Sequence, residues 1–141
     1  MMKKLVLFFS LFAFVLLFAP QGKAQKQNPA GFVTVEVEDF EEQIHSPNVI
    51  LVDVRTAKEF EEDHIEGAVN IEWGSNFNYY LSRAKLPKGA KLAVYCRSGR
   101  RSKEAAKVLV KKGFTVVELN TGINGWKQAA KPVVHSWGRK G

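Results

Sequence analysis

The chain has 141 residues, 45% of them hydrophobic and 25% charged, a balance that suits one compact globular domain and leaves little room for two. Its single cysteine, Cys96, excludes an internal disulfide, so the fold has to rest on an apolar core. The formal net charge is +7, but the basic residues are scattered except around that cysteine. This argues against a nucleic-acid surface, which would gather Lys and Arg into a stripe with interleaved aromatics, and favours small anions as partners.

Residues 1–24 read as a signal peptide. Lys3 and Lys4 precede an apolar run from Leu5 to Ala19, and Gly22 and Ala24 supply the small residues of a cleavage site after Ala24. The alternative, a retained membrane anchor, needs roughly 20 apolar residues, more than this run provides. Cleavage removes Lys3, Lys4 and Lys23, lowers the formal charge to +4 and gives an exported, periplasmic or secreted protein. Residues 25–31 are polar and turn-prone, a flexible leader. The domain proper is expected over 32–132, and 133–141 form a C-terminal tail containing His135 and Trp137.

Within the domain, apolar and amphipathic runs alternate. Strands are expected at Phe32–Val35, Val49–Val54, Ala68–Ile71, Leu92–Tyr95 and Val116–Leu119. Helices are expected at Val37–His45, Ala57–Asp63, Phe77–Ala84, Ser102–Lys112 and a short one near Trp126–Ala130. Thr56 and Glu59 have capping-box spacing at the second helix, and Gly113 after Lys111 and Lys112 stops the fourth. Continuous β-branched strands separated by helices imply an α/β fold, a three-layer α/β/α sandwich around a mainly parallel sheet, with ligands at the strands' carboxyl ends.

The stretch Cys96-Arg97-Ser98-Gly99-Arg100-Arg101 lies between the Leu92–Tyr95 strand and a helix. Unpaired amides at a helix start carry partial positive charge and attract anions. Gly99 permits positive φ, so successive amides can converge on the sulfur, and Arg97, Arg100 and Arg101 add three cations. Such surroundings favour a thiolate nucleophile. A lone cysteine after an apolar strand is more often inert packing, but packing gains nothing from three adjacent arginines.

With Leu51-Val52-Asp53-Val54-Arg55, Glu59-Phe60, His64 to Ile71, Cys96 to Ser102 and Gly122-Ile123-Asn124-Gly125-Trp126, all in order, the chain resembles the rhodanese family from about Val35 to Pro132. It departs from the common pattern at Arg100, where a smaller or amide residue is frequent, and at Glu66, where proline is frequent. The resemblance implies a five-stranded sheet and Cys96 as acceptor of a sulfane sulfur held as a persulfide. It also implies Asp53 and Arg55 as structural support at the strand end, and His64 as a packing residue. No metal or organic cofactor is implied, and the expected partners are a small anionic sulfur donor and a thiol, cyanide or protein-cysteine acceptor, with the protein a monomer.

Rhodanese-like folds include phosphatases, which place five residues between cysteine and arginine. Here Arg101 follows after four and position 102 is serine, a tighter loop suited to one sulfur atom. A third reading keeps the persulfide but makes the protein a carrier or binding module without turnover.

Overall fold

The computed structural model describes residues 25–136. Six strands and five helices follow in the order β1 (Lys26–Gln27), β2 (Val33–Val35), α1 (Val37–Ile44), β3 (Val49–Asp53), α2 (Ala57–Glu62), β4 (Val69–Asn70), α3 (Phe77–Ala84), β5 (Lys91–Tyr95), α4 (Arg100–Lys111), β6 (Thr115–Leu119) and α5 (Gly122–Gln128). They form one sheet of order β1-β2-β6-β5-β3-β4. The five expected strands are all present and run parallel to one another.

The sixth strand corrects the expected count. Lys26 and Gln27, in the segment read as a flexible leader, pair antiparallel with Thr34 and Val33. Polar composition gave no sign of this, because an edge strand exposed on its faces needs only backbone partners. At the other end, His64 and Val134 form an antiparallel bridge, and Ser136 N–H donates to the Glu61 carbonyl at 3.1 Å. Part of the expected tail therefore returns to the end of α2. Trp137 and the proposed signal peptide lie outside the described residues.

Strand alternation sorts the core into two halves. Val52, Val54, Leu92, Val94 and Val116 pack with Phe77 and Leu81 of α3 and with Ala105, Ala106 and Leu109 of α4. Leu51, Ala93, Tyr95, Val117 and Leu119 point the other way, against Val37 and Phe40 of α1 and Ile123 and Trp126 of α5. The sheet is thus covered on both faces. Each wholly buried Leu, such as Leu92 or Leu109, contributes a transfer term of about 2 kcal/mol.

Three helix boundaries differ from, or agree with, expectation for identifiable reasons. The capping box at Thr56 and Glu59 forms in full and starts α2. α4 begins at Arg100 rather than Ser102, because Gly99 at φ 97° is its N-cap and turns the chain into the helix two residues sooner. α5 begins at Gly122, so Trp126 sits inside the helix rather than at its start, buried edge-on to Phe40 with its indole N–H donating to the Pro132 carbonyl at 2.8 Å.

Candidate active site

β5 ends at Tyr95 and delivers Cys96 to the carboxyl edge of the sheet, beside the end of β3. The loop from Cys96 is held from behind by α5. Ile123 N–H donates to the Cys96 carbonyl at 2.9 Å, and Asn124 N–H to the Arg97 carbonyl at 3.1 Å. This needs glycine at 122: its φ is 59°, and a Cβ there would stand 2.4 Å from the Arg97 carbonyl oxygen. Gly99 is required twice over, by φ 97° and by Asn120, whose carbonyl oxygen would lie 2.1 Å from a Cβ.

Cys96 is 1% exposed and belongs to the apolar cluster under α4, yet its sulfur has polar partners. Of the successive loop amides expected to converge on it, the Gly99 N–H donates to Sγ at 3.1 Å, and among the described residues no other loop amide does, so the cradle is narrower than expected. On its other side the thiol donates to Ser102 Oγ at 3.3 Å. Ser102 in turn donates to Glu118 Oε1 at 2.6 Å. Glu118, on β6, is wholly buried and also receives Thr34 Oγ1 at 3.0 Å on Oε2 and Lys103 Nζ at 3.3 Å on Oε1.

The expected ring of cations takes a different form. Arg97, Ser98 and Arg100 are exposed, and among the described residues none of them is bonded to the sulfur. Arg101 is turned aside into a bidentate pair with Glu59, Nη1 to Oε2 at 2.9 Å and Nη2 to Oε1 at 3.1 Å. Glu59 therefore caps α2 and fixes the loop arginine at once. Burial works against the Glu59 charge, but the hydrogen bonds and the charge of Arg101, helped by Thr56 and Arg55, together outweigh it and hold the carboxyl below its ordinary range. Arg97 lines a cavity of about 150 Å³ with Arg55, Glu59, Glu62, Asp63, Asn124 and Lys127.

At the end of the neighbouring strand β3, Asp53 and Arg55 form the buried pair that the resemblance implies. Arg55 Nη2 lies 2.7 Å from Asp53 Oδ2, Nε is 3.0 Å from the same oxygen, and the Arg55 N–H donates to Asp53 Oδ1 at 2.9 Å. Arg55 reaches on to Asp63 Oδ1 at 3.3 Å and lies over the Tyr95 ring, 5.8 Å from its centre. Burial alone would destabilise its charge, but the hydrogen bonds and charge of Asp53 prevail and raise the guanidinium above its ordinary range. Burial, then the Asp53 charge, likewise raises the Tyr95 phenol, whose oxygen accepts the Ile65 N–H at 3.0 Å. His64 stacks on Phe60 with its Nδ1 2.8 Å from the Phe60 carbonyl, away from the sulfur's partners.

Sequence reasoning missed Glu118 and the orientation of Ser102. The signal was one charge in the apolar run Val116-Val117-Glu118-Leu119, since a charge inside a buried strand demands partners. It also missed Gly122 as the residue that lets α5 close on the loop.

Comparison with known proteins agrees with this arrangement. A family model, the rhodanese-like domain, matches residues 36–129. The chain belongs to the rhodanese-like domain family. It is 30% identical over 117 residues to the thiosulfate:glutathione sulfurtransferase of Saccharomyces cerevisiae, covering 74% of this chain and 84% of the yeast protein. It is 35% identical over 83 residues to the thiosulfate sulfurtransferase PspE of Escherichia coli, covering 59% of this chain and 76% of that one. A crystal structure of a rhodanese-related protein from Thermoplasma volcanium superposes with a TM-score of 0.63 at 29% identity, over 72% of this rhodanese-like chain and 96% of the other. These relatives support sulfurtransferase activity.

Proposed function

We propose that this protein is an exported sulfurtransferase that lodges a sulfane sulfur on Cys96 as a persulfide, taking it from thiosulfate or a related anionic donor. The observation that carries this reading is the position of the Cys96 sulfur, at a strand's carboxyl end and under the Gly99 N–H at 3.1 Å, in a loop where Arg97 and Arg100 are exposed.

In the first half-reaction the Cys96 thiolate attacks the outer sulfur of thiosulfate. The Sγ–S bond forms, the donor's S–S bond breaks, and its electron pair leaves with sulfite. In the second, a thiol, cyanide or protein-cysteine acceptor attacks the outer sulfur of the persulfide, and the Cys96 thiolate departs. Arg97 and Arg100 draw the anionic donor to the loop, while Arg101 acts through Glu59 as a brace.

Phosphoryl transfer is disfavoured by Ser102 and Glu118. The position where a phosphatase loop carries its arginine is a buried serine backed by a carboxylate, which would repel a bound phosphate. Export rests on residues 1–24 and a monomeric state on the small single domain. Among the described residues no helix is long and apolar enough to cross a membrane.

The test is a thiosulfate:cyanide assay of the protein and its Cys96→Ser variant, with intact mass after thiosulfate treatment. Turnover and one added sulfur atom, both lost in the variant, are the expected result. Absence of the added sulfur would overturn the reading. A persulfide without turnover would make the protein a carrier, and hydrolysis of an aryl phosphate would make it a phosphatase. Amino-terminal sequencing of exported protein is expected to begin at Gln25.

A further inference from the structure

Sulfur transfer requires an anionic sulfur, and the surroundings of Cys96 contain a group that opposes one. A serine hydroxyl has a single hydrogen. That of Ser102 goes to Glu118 Oε1 at 2.6 Å, so Ser102 offers the sulfur only a lone pair, and the thiol donates to it at 3.3 Å. A thiolate in the same place would leave one hydrogen to be shared between two anions, Sγ and Oε1.

The groups around Glu118 are few. From α4 the side chain of Lys103 approaches Oε1, and beyond β5 stands the Cys96 thiol. β2 faces it with the Thr34 hydroxyl, which carries no charge. α1 packs on the opposite face of the sheet, under Val117 and Leu119. Lys103 is partly exposed and divides its ammonium between Glu118 and Asn120 Oδ1, at 3.2 Å, so the carboxylate field is only partly offset on the sulfur side.

We propose that Glu118 is a positioning residue for the sulfur chemistry: by holding the Ser102 hydroxyl as an acceptor toward Cys96, it sets the pH at which the buried sulfur becomes a thiolate. This rests on Cys96 as the sulfur-carrying residue, and it reverses the simplest role for a serine beside a thiolate, that of donor. With a carboxamide at 118 the second anion is gone and an N–H can face Ser102, which is then free to turn its hydrogen to the sulfur. With alanine at 102 the acceptor itself is gone. Both changes ease ionisation.

The experiment follows the ultraviolet absorbance of the thiolate against pH in the folded protein, stripped of persulfide and with Cys96→Ser as baseline. Glu118→Gln is expected to move the midpoint to lower pH, the direction that follows from removing a nearby like charge. Ser102→Ala is expected to move it in the same direction. An unmoved or raised midpoint in Glu118→Gln overturns the proposal. A raised or unmoved midpoint in Ser102→Ala also overturns it, because the hydroxyl would then be stabilising the thiolate or be indifferent to it, and this arm decides alone if Glu118→Gln fails to fold. The titration reads ionisation without turnover, so a protein that ionises as described but transfers no sulfur would fail the functional reading and leave this one standing.

Discussion

Two buried polar clusters stand at the carboxyl ends of adjacent strands, and they are built to different ends. Around Arg55, at the end of β3, nearly every donor is matched: Asp53 takes three side-chain hydrogen bonds and one from the backbone, and Asp63 takes the guanidinium's far side. Asn70 completes it by donating to the Asp53 and Arg55 carbonyls at 3.1 and 2.9 Å. At the end of β5 a line of bonds runs from Cys96 through Ser102 to Glu118, where Thr34 and Lys103 join it. A cluster closed on itself fixes geometry, whereas a line ending on a sulfur leaves one group whose protonation can change.

The largest effect is expected from opening the closed cluster. Asp53→Ala leaves Arg55, 4% exposed, without its main counter-charge, and should lower the unfolding free energy by about 3–5 kcal/mol in urea titration. Replacing both Asp53 and Arg55 with apolar residues of similar volume should recover most of that loss. A double variant no more stable than the single one would show that the pair does more than neutralise itself.

Next comes the loop. Gly99→Ala meets both a left-handed φ and the Asn120 carbonyl, so the loop has to move away from β6. Displacement of the Cys96 sulfur from its N–H donor by about an ångström should lower sulfur transfer about a hundredfold, as misplacement of reacting groups does. Stability should fall by only about 1–3 kcal/mol. Transfer unchanged in a folded Gly99→Ala protein would remove the loop's curl from the chemistry.

The parts legible in the sequence are those set by local pattern. The five parallel strands follow from apolar runs, the α2 cap from the spacing of Thr56 and Glu59, and the Gly99 turn from a glycine before a helix. What stayed hidden depends on pairs far apart in the chain. Thr34 meets Glu118 only because β2 and β6 are neighbours in the sheet, and Arg101 meets Glu59 across 42 positions. Three arginines near a cysteine read alike in one dimension, yet the fold gives one of them a carboxylate partner and leaves two at the surface.

Acid should distinguish the periphery of these clusters. Glu59 is held low against its burial by Arg101, and Asp63 is held low against its burial by Lys127 and then Arg55. A carboxyl that titrates lower when folded than unfolded stabilises the fold above its ordinary value and loses that contribution as pH falls. Stability from this pair should therefore be full above about pH 4.5, the ordinary glutamate value, and decline below it. Glu59→Gln with Asp63→Asn should flatten that decline in urea midpoints measured across the acid range. A slope as steep as before would place the acid sensitivity elsewhere.

The smallest effect concerns one carboxylate with two cations. Asp63 pairs with Arg55, at 3.3 Å and almost wholly buried, and with Lys127, at 2.9 Å and 44% exposed. Distance alone favours the lysine; solvent reverses the order, because water and salt screen the exposed ammonium and its ordering opposes the gain. Lys127→Ala should lower stability by no more than about 1 kcal/mol, and less still at high salt. Arg55→Ala, which strands Asp53 in the core, should approach the loss expected for Asp53→Ala. If the two cation variants were equally destabilised, the shorter distance would outweigh burial, and the contrast between a closed interior cluster and its screened margin would fail.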